Sequence, residues 1–407
     1  MEYNNKFIKT NDFETLIDFG HQPISNRFID SFENSNTVKY PLSLNINKKN
    51  GLITLANPFP VNELKPLYNW LTCYEPENHL DELTTVIANL PGININSVIG
   101  AYCFKDATTL QRLEKLGYTN NWIIDPCNDF GIIDDCSNVE TYQHFTNKTV
   151  AQRIILKKPK ADVIIVRHVI EHAYNLDEFI EALKILVNEN GYIVFEVPDC
   201  QKALESGDCT TIWEEHVSYF TIETFKSVLL NHDFSIKYLK VFPYTLENSI
   251  VAIVKVDKPN LIKEVNINSS ILNNEIIRAR NFSESIVLNK NLIRDKITKI
   301  RNKYGNIAIW GAGHLSISFI SLMEIGDLIS YAIDDNQNKV GKKLPLNDIK
   351  IISPVEFTSL NINICLLGLN PDNQHKVIYK CTNFIKSGGI FLSIFSNTSS
   401  YILNYDF

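Results

Sequence analysis

A chain of 407 residues is longer than one ordinary core and predicts two or three domains. Hydrophobic residues make up 44% and charged residues 21%, which excludes an intrinsically disordered chain. The formal charge of −7 gives no reason to expect a nucleic acid or an anionic membrane as partner. No apolar run approaches the ~18 residues that span a bilayer.

The start, Met1 to Thr10, is polar and charged and does not read as a secretory signal. The cysteines, Cys73, Cys103, Cys127, Cys136, Cys200, Cys209, Cys365 and Cys381, show no C-x-x-C spacing. Neither a metal site nor a disulfide framework is predicted, and free buried thiols in a reducing cytoplasm are expected.

Residues 1–65 read as short strands and turns, with turn signals at Gly20, Pro23, Asn50-Gly51 and Asn57-Pro58. Residues 66–90 read as helical, because Leu80, Leu83, Ile87 and Leu90 are spaced by 3, 4 and 3. From about 95 to 255 strands alternate with helices. Apolar strands are predicted at 97–99, 122–124, 163–166 and 192–197, with helices at 108–116 and 176–187. That alternation predicts an α/β fold with a mostly parallel, doubly wound sheet, closed by antiparallel strands at 235–241 and 250–256. Residues 260–303 read as a connecting helix or helix pair. A second α/β unit begins at 306–310 and continues through 331–335, 364–368 and 389–394.

Four stretches carry chemistry. In Trp213-Glu214-Glu215-His216 two acids stand beside one histidine, flanked by aromatics. The stretch follows a strand ending Glu196-Val197-Pro198-Asp199, and ligands of open α/β sheets bind outside the carboxyl ends of strands. His216 is therefore placed where a general base is useful, although a capping or core histidine would read the same way. In the second stretch an apolar strand at 163–166 runs through Arg167 into a charged turn with Glu171 and His172, which suits either a site or a solvated cap. In the third, Asp125-Pro126 ends another strand, where an acid often holds ribose hydroxyls but an Asp-Pro turn is also common. The fourth, Gly311-Ala312-Gly313, follows a strand, but Ser316 breaks the full G-x-G-x-x-G, so a tight β–α turn serves equally.

The order of these pieces resembles the C-methyltransferases that act on nucleotide-linked 4-keto-deoxy sugars. The resemblance covers nearly the whole chain. It runs through Gly20-His21-Gln22-Pro23-Ile24-Ser25-Asn26-Arg27-Phe28, the Glu171-His172 turn, the Glu196-to-Asp199 strand end and the Glu215-His216 loop. In the C-terminal unit it rests on Gly311-Ala312-Gly313, the stretch from Ile333 to Lys342, and Ile352-Ser353-Pro354. It implies a small N-terminal domain over 1–65, a core binding S-adenosylmethionine (SAM) over 66–258, a helical connector over 259–303 and a Rossmann-like domain over 304–407. It also implies a cytoplasmic enzyme, monomeric or dimeric, acting on a small molecule and on neither nucleic acid nor membrane.

In that family the histidine of the E-H loop acts as base with the preceding glutamate as partner, which here implies His216 and Glu215. A tyrosine usually precedes that histidine by three residues, and here Trp213 stands there. A further tyrosine comes from the segment before the first core strand, and Tyr68 and Tyr74 are both candidates. Contacts to SAM are implied for Gly100, Tyr102, Lys105, Asp106, Asp125, Pro126, Arg167, Glu171 and His172. Two departures stand out. The N-terminal domain of the family binds zinc through two pairs of cysteines; this chain lacks both and reads Asn47 to Leu52 at the second, so the domain is expected to be metal-free. The glycine-rich loop after the first core strand is replaced by Gly100-Ala101-Tyr102-Cys103-Phe104-Lys105-Asp106, which crowds the place where backbone meets the cofactor. Methylation of a sugar oxygen or nitrogen, a methyltransferase fold retained for binding, and a dehydrogenase using the C-terminal glycine turn are the competing readings.

Overall fold

The computed structural model describes residues 12–30, 37–71, 75–133, 142–256 and 268–406. These form two compact units that interleave along the chain. The first takes the described parts of Met1–Glu14, Asn45–Gln201 and Glu215–Ile276; the second takes those of Thr15–Leu44, Lys202–Glu214 and Ile277–Phe407.

The N-terminal stretch forms strands β1 (Phe13–Pro23), β2 (Lys39–Asn47) and β3 (Ile53–Leu55). The predicted Asn50-Gly51 turn links the last two. Gly51 has φ +74° and donates to the Asn47 carbonyl at 2.8 Å, a left-handed geometry that glycine adopts without steric cost.

The first unit is built on a six-stranded sheet. Its strands are β4 (Ile99–Ala101), β5 (Asn121–Ile123), β6 (Ala161–Arg167), β7 (Val187–Asp199), β9 (Phe234–Phe242) and β10 (Asn248–Val256). The order is β5-β4-β6-β7-β10-β9. Strands β5, β4, β6 and β7 are parallel, and β10 and β9 close one edge antiparallel, as the sequence predicts. Strand order reverses at β4, with β5 on one side and β6 on the other, so the topological switch point lies at its carboxyl end. A short strand β8 (Ser218–Tyr219) pairs with β3.

The apolar run in β6 fits a strand covered on both faces. Val163 and Ile165 pack with Leu83 and Ile87 of the helix Leu80–Ala88 and Leu110 and Leu113 of the helix Ala107–Lys115. Ile164 and Val166 face the helices Lys148–Ile155, Leu176–Leu186 and Ile222–Asn231 through Ile154, Phe179 and Phe225. Each fully buried aliphatic side chain there contributes about 1.5–3 kcal/mol relative to exposure. Asn147, Asn175 and Thr221 cap the amino ends of those three helices and set where each begins after its strand.

The connector is one helix, Ser269–Tyr304, of 36 residues. The second unit carries a parallel sheet in the order β13-β12-β11-β14-β15, formed by β11 (Ile307–Trp310), β12 (Tyr331–Ile333), β13 (Lys350–Ile352), β14 (Ile364–Leu367) and β15 (Ile390–Ser393). Among the described residues no helix is long and apolar enough to cross a membrane. Five of the six described cysteines are buried, whereas Cys127 is exposed; it sits in the turn after β5, outside the core. Cys73 and Cys136 lie outside the described residues.

Candidate active site

The carboxyl end of β6 gathers buried charge. Arg167 Nε lies 2.5 Å from Glu196 Oε2, and His168 Nε2 lies 3.0 Å from Glu196 Oε1. His79 Nε2 is 3.2 Å from the same carboxylate. Glu75 pairs with Lys105 at 3.0 Å and faces His168 Nδ1 at 3.6 Å. Burial works against the imidazolium of His168, but Glu75 and Glu196 overcome it and raise His168 to about 10. Burial likewise raises Glu75, and His168 with Lys105 reverses this and holds it at about 2. His168 has φ +50°, rare outside glycine, and strain of that kind persists only where surrounding contacts fix it. Here its amide donates to the Glu196 carbonyl at 2.8 Å while its ring meets the same residue's side chain.

One turn further, the chain presents Glu171 and His172, both buried. His172 Nδ1 is 2.8 Å from the backbone carbonyl of Glu215. A carbonyl only accepts, so Nδ1 carries a proton. That nitrogen lies 3.9 Å from Glu171 Oε1. The His172 ring meets the His216 ring edge-on with centroids 4.8 Å apart, and His216 is partly buried. Atoms of Glu171, His172 and His216 that could bind a proton or a cation all lie within 4.8 Å of one another. Among the described residues, both carboxylate oxygens of Glu171 are buried without a hydrogen-bond partner. Val217 N donates to the Glu171 carbonyl at 2.8 Å, which ties the two stretches together.

The expected contacts to SAM fall into two groups. Lys105, Asp106 and Arg167 are engaged within the chain: Lys105 with Glu75, and Arg167 with Glu196 and with the Lys105 carbonyl at 2.7 Å. Asp106 Oδ2 accepts from the amides of Tyr102 at 3.0 Å and Cys103 at 2.9 Å, and its Oδ1 accepts from the Arg167 amide at 3.0 Å. Burial pushes the Asp106 carboxyl up, to about 7, against the pull of those amides and of Arg167. Gly100 answers a packing need, since a Cβ there would fall 2.7 Å from the Trp122 ring. The Tyr102 ring is buried at 1% exposure. Asp125, by contrast, uses Oδ1 to cap the turn Pro126–Phe130 through the Asn128 amide at 2.6 Å, and Pro126 opens that turn.

The other expected catalytic residues have the following surroundings. Glu215 reaches His172 through its carbonyl, and its carboxylate is buried. Trp213 belongs to the second unit, where its indole stacks on His314 with centroids 4.6 Å apart. Tyr68 is partly buried and tilts against Trp70 at 4.6 Å, while Tyr74 lies outside the described residues. The roles of Glu75 and His79 had no signal in the sequence, because their partners stand about a hundred residues away.

In the second unit Asp334 Oδ2 accepts from the Ala312 amide of the glycine turn at 2.9 Å, and Lys339 Nζ meets that carboxylate at 3.1 Å.

Comparison with known proteins adds a description at the level of domains. Residues 101–239 match the family described as Methyltransferase domain, and residues 261–395 match the family described as C-methyltransferase C-terminal domain. A curated relative, C-methyltransferase NovU of Streptomyces niveus, is 19% identical over 224 residues. The match takes in 54% of this chain, which spans about half of that relative's length, 53%. Among solved structures, the 1,6-didemethyltoxoflavin-N1-methyltransferase of Burkholderia thailandensis is 8% identical with a TM-score of 0.30, over 45% of this chain and 80% of its own. A SAM-dependent methyltransferase of Aquifex aeolicus is 11% identical with a TM-score of 0.28, over 49% of this chain and 99% of its own. Likenesses of that size carry no argument about chemistry. Residues 101–239 thus resemble a methyltransferase domain and carry a Rossmann-like α/β sheet, and residues 261–395 resemble a C-methyltransferase C-terminal domain.

Proposed function

We propose that the chain is a SAM-dependent C-methyltransferase whose acceptor is a nucleotide-linked keto-deoxy sugar, with His216 as general base. The observation that supports it best is the His172–His216 pair beside the buried carboxylate of Glu171, which faces His168 at 3.7 Å and His172 at 3.9 Å, within a segment that matches a methyltransferase domain. The C-methyltransferase C-terminal domain and the curated C-methyltransferase relative favour carbon as the acceptor. The keto sugar follows from the family resemblance.

The residues at the carboxyl ends of β5 and β6 suit the cofactor. Asp125 spends one oxygen on its own turn and keeps the other for a ribose hydroxyl. Glu171 offers a buried carboxylate without a hydrogen-bond partner among the described residues, a fitting counter-charge for a sulfonium. When bound, SAM supplies an electrophilic methyl group. The chain's own task is to make a carbon nucleophile. A carbon beside a carbonyl is acidic enough for His216 to take its proton, a step worth about 10²–10⁴-fold in rate. The imidazolium so formed lies beside His172 and near the Glu171 carboxylate, which stabilises the new charge.

The test is to incubate the purified chain with a nucleotide-linked 4-keto-deoxy sugar in heavy water, without SAM. Deuterium should enter at the carbon next to the carbonyl, and His216→Ala should abolish this. Labelled SAM should then methylate the same carbon. Exchange that survives His216→Ala would sink the assignment of the base, and methyl transfer to oxygen would sink that of the acceptor.

A further inference from the structure

The Tyr102 side chain occupies a telling place. It leaves the carboxyl end of β4, the switch point of the sheet, where a ligand of such a fold lies. Other chains with this architecture use glycine in that loop so that backbone can approach the ligand. Here an aromatic ring, 1% exposed, is inserted among segments that follow three neighbouring strands. Its hydroxyl lies 2.5 Å from Thr146 Oγ1, one residue before the cap of the helix Lys148–Ile155. Its ring centroid lies 5.5 Å from that of Phe179, in the first turns of the helix after β6, and 6.4 Å from that of Phe130, in the turn after β5. The Cys103 amide, in the loop itself, is satisfied by Asp106, while the Tyr102 amide is shared between Asp106 and the Ile165 carbonyl of β6 at 2.9 Å.

From this we infer that Tyr102 is a side-chain plug: in the free protein its ring fills part of the cofactor crevice, and it must leave Thr146 and Phe179 before an adenosyl ligand can enter. Tyr102 is then the residue that sets cofactor affinity. This rests on the SAM reading above. A ligand that binds only an open fraction of the molecules has its apparent affinity reduced by that fraction, so removing the plug tightens binding without adding a contact. Thr146 supplies the hydrogen bond that holds the ring closed. Phe179 supplies an apolar wall that any adenosine-sized ligand would also use.

The experiment is calorimetric titration of the full chain with S-adenosylhomocysteine, for the wild type and for Tyr102→Gly, Tyr102→Phe and Thr146→Val, each checked for folding by circular dichroism. With closed molecules outnumbering open ones about ten to one, Tyr102→Gly should bind about tenfold more tightly than wild type. Thr146→Val and Tyr102→Phe, which remove only the hydrogen bond, should each tighten binding by about three- to fourfold. If Tyr102→Gly fails to fold, those two milder variants carry the test. Equal and measurable binding by wild type and variants would overturn the plug and leave the cofactor reading standing. No binding by wild type or by any folded variant would overturn both.

Discussion

The carboxylate of Asp106 accepts the backbone amide of Tyr102 at 3.0 Å, closing the loop after β4 on itself. The same oxygen takes the Cys103 amide and its partner oxygen takes that of Arg167, so one buried side chain meets three donors from two strand ends, sharing the Tyr102 amide with the Ile165 carbonyl. An amide side chain cannot repeat this, because its NH2 would face N–H groups. Asp106→Asn should therefore lower stability by about 1–3 kcal/mol, the cost of unsatisfied buried donors, read by urea unfolding at neutral pH. Stability unchanged by this variant would refute the anchoring role. Burial also raises the folded carboxyl to about 7 from its free value of 3.8. The native chain then binds a proton more readily than the unfolded one, so this group's contribution to stability falls as pH rises from about 4 to about 7 and is flat above that. Comparing the variant with wild type across that window should show their difference shrinking as pH rises.

Glu196 is the hub of the second network, since Arg167, His168 and His79 all converge on it. Removing its charge would leave the buried guanidinium of Arg167 without its main counter-charge and the imidazolium of His168 with Glu75 as its chief remaining one. Glu196→Gln should cost about 3–5 kcal/mol, the penalty for breaking a buried pair from one side. The pH dependence has a definite sign. His168 is raised in the folded chain from 6.5 to about 10, so its stabilisation is full below 6.5 and is lost as pH rises through 10. Glu75 is held at about 2 against 4.5, so its share is present above 4.5 and lost as pH falls towards 2. Unfolding free energies of the wild type at pH 6, 8 and 10 should decline, and Glu196→Gln should flatten that slope. A slope that the substitution leaves unaltered would mean that Glu75 alone holds His168 charged.

What the sequence made legible was the framework. The apolar runs now in β6 and β7, the helix Leu176–Leu186 and the antiparallel closing pair all follow from periodicity, because burial on one face or two imposes that pattern directly. The pairing of His172 with His216 was only half legible. Both histidines stood out beside acids, but they are 44 positions apart, and the Glu215 and Glu171 carbonyls help bring them together. The loop after β4 read as crowded, without showing that Tyr102 turns inward or that Asp106 takes the amides. Those outcomes depend on Thr146, Phe179 and Arg167, which come from other segments. The stacking of Trp213 on His314 had no signal in the sequence either, since the two stand about a hundred residues apart.

The C-terminal glycine turn repeats the theme of Asp106. Asp334 occupies the Ala312 amide, and Lys339 neutralises it while donating to the Ala312 carbonyl at 2.8 Å. A pyrophosphate would have to displace that carboxylate and would gain one fewer free amide than an open turn offers. A large excess of NAD should therefore leave the thermal unfolding midpoint of the chain unchanged, since only a ligand of the native state raises it. A clear rise would restore the dehydrogenase reading of this turn.

His172 and His216 can be separated by what each substitution leaves intact. His216→Gln removes the base, and methyl transfer should fall by about 10²–10⁴-fold while binding of S-adenosylhomocysteine persists. His172→Gln removes a neighbour whose Nδ1–H is already committed to the Glu215 carbonyl, so its effect should pass through the position and basicity of His216. The reading that distinguishes the two is the pH profile of methyl transfer. With His172→Gln the acidic limb, which reports the base in its deprotonated form, should shift along the pH axis, whereas His216→Gln should abolish that limb. Glu171→Gln removes the nearby anion that favours the imidazolium, so it should move the limb to lower pH. A limb that stays in place in all three variants would mean that the proton is taken by another group.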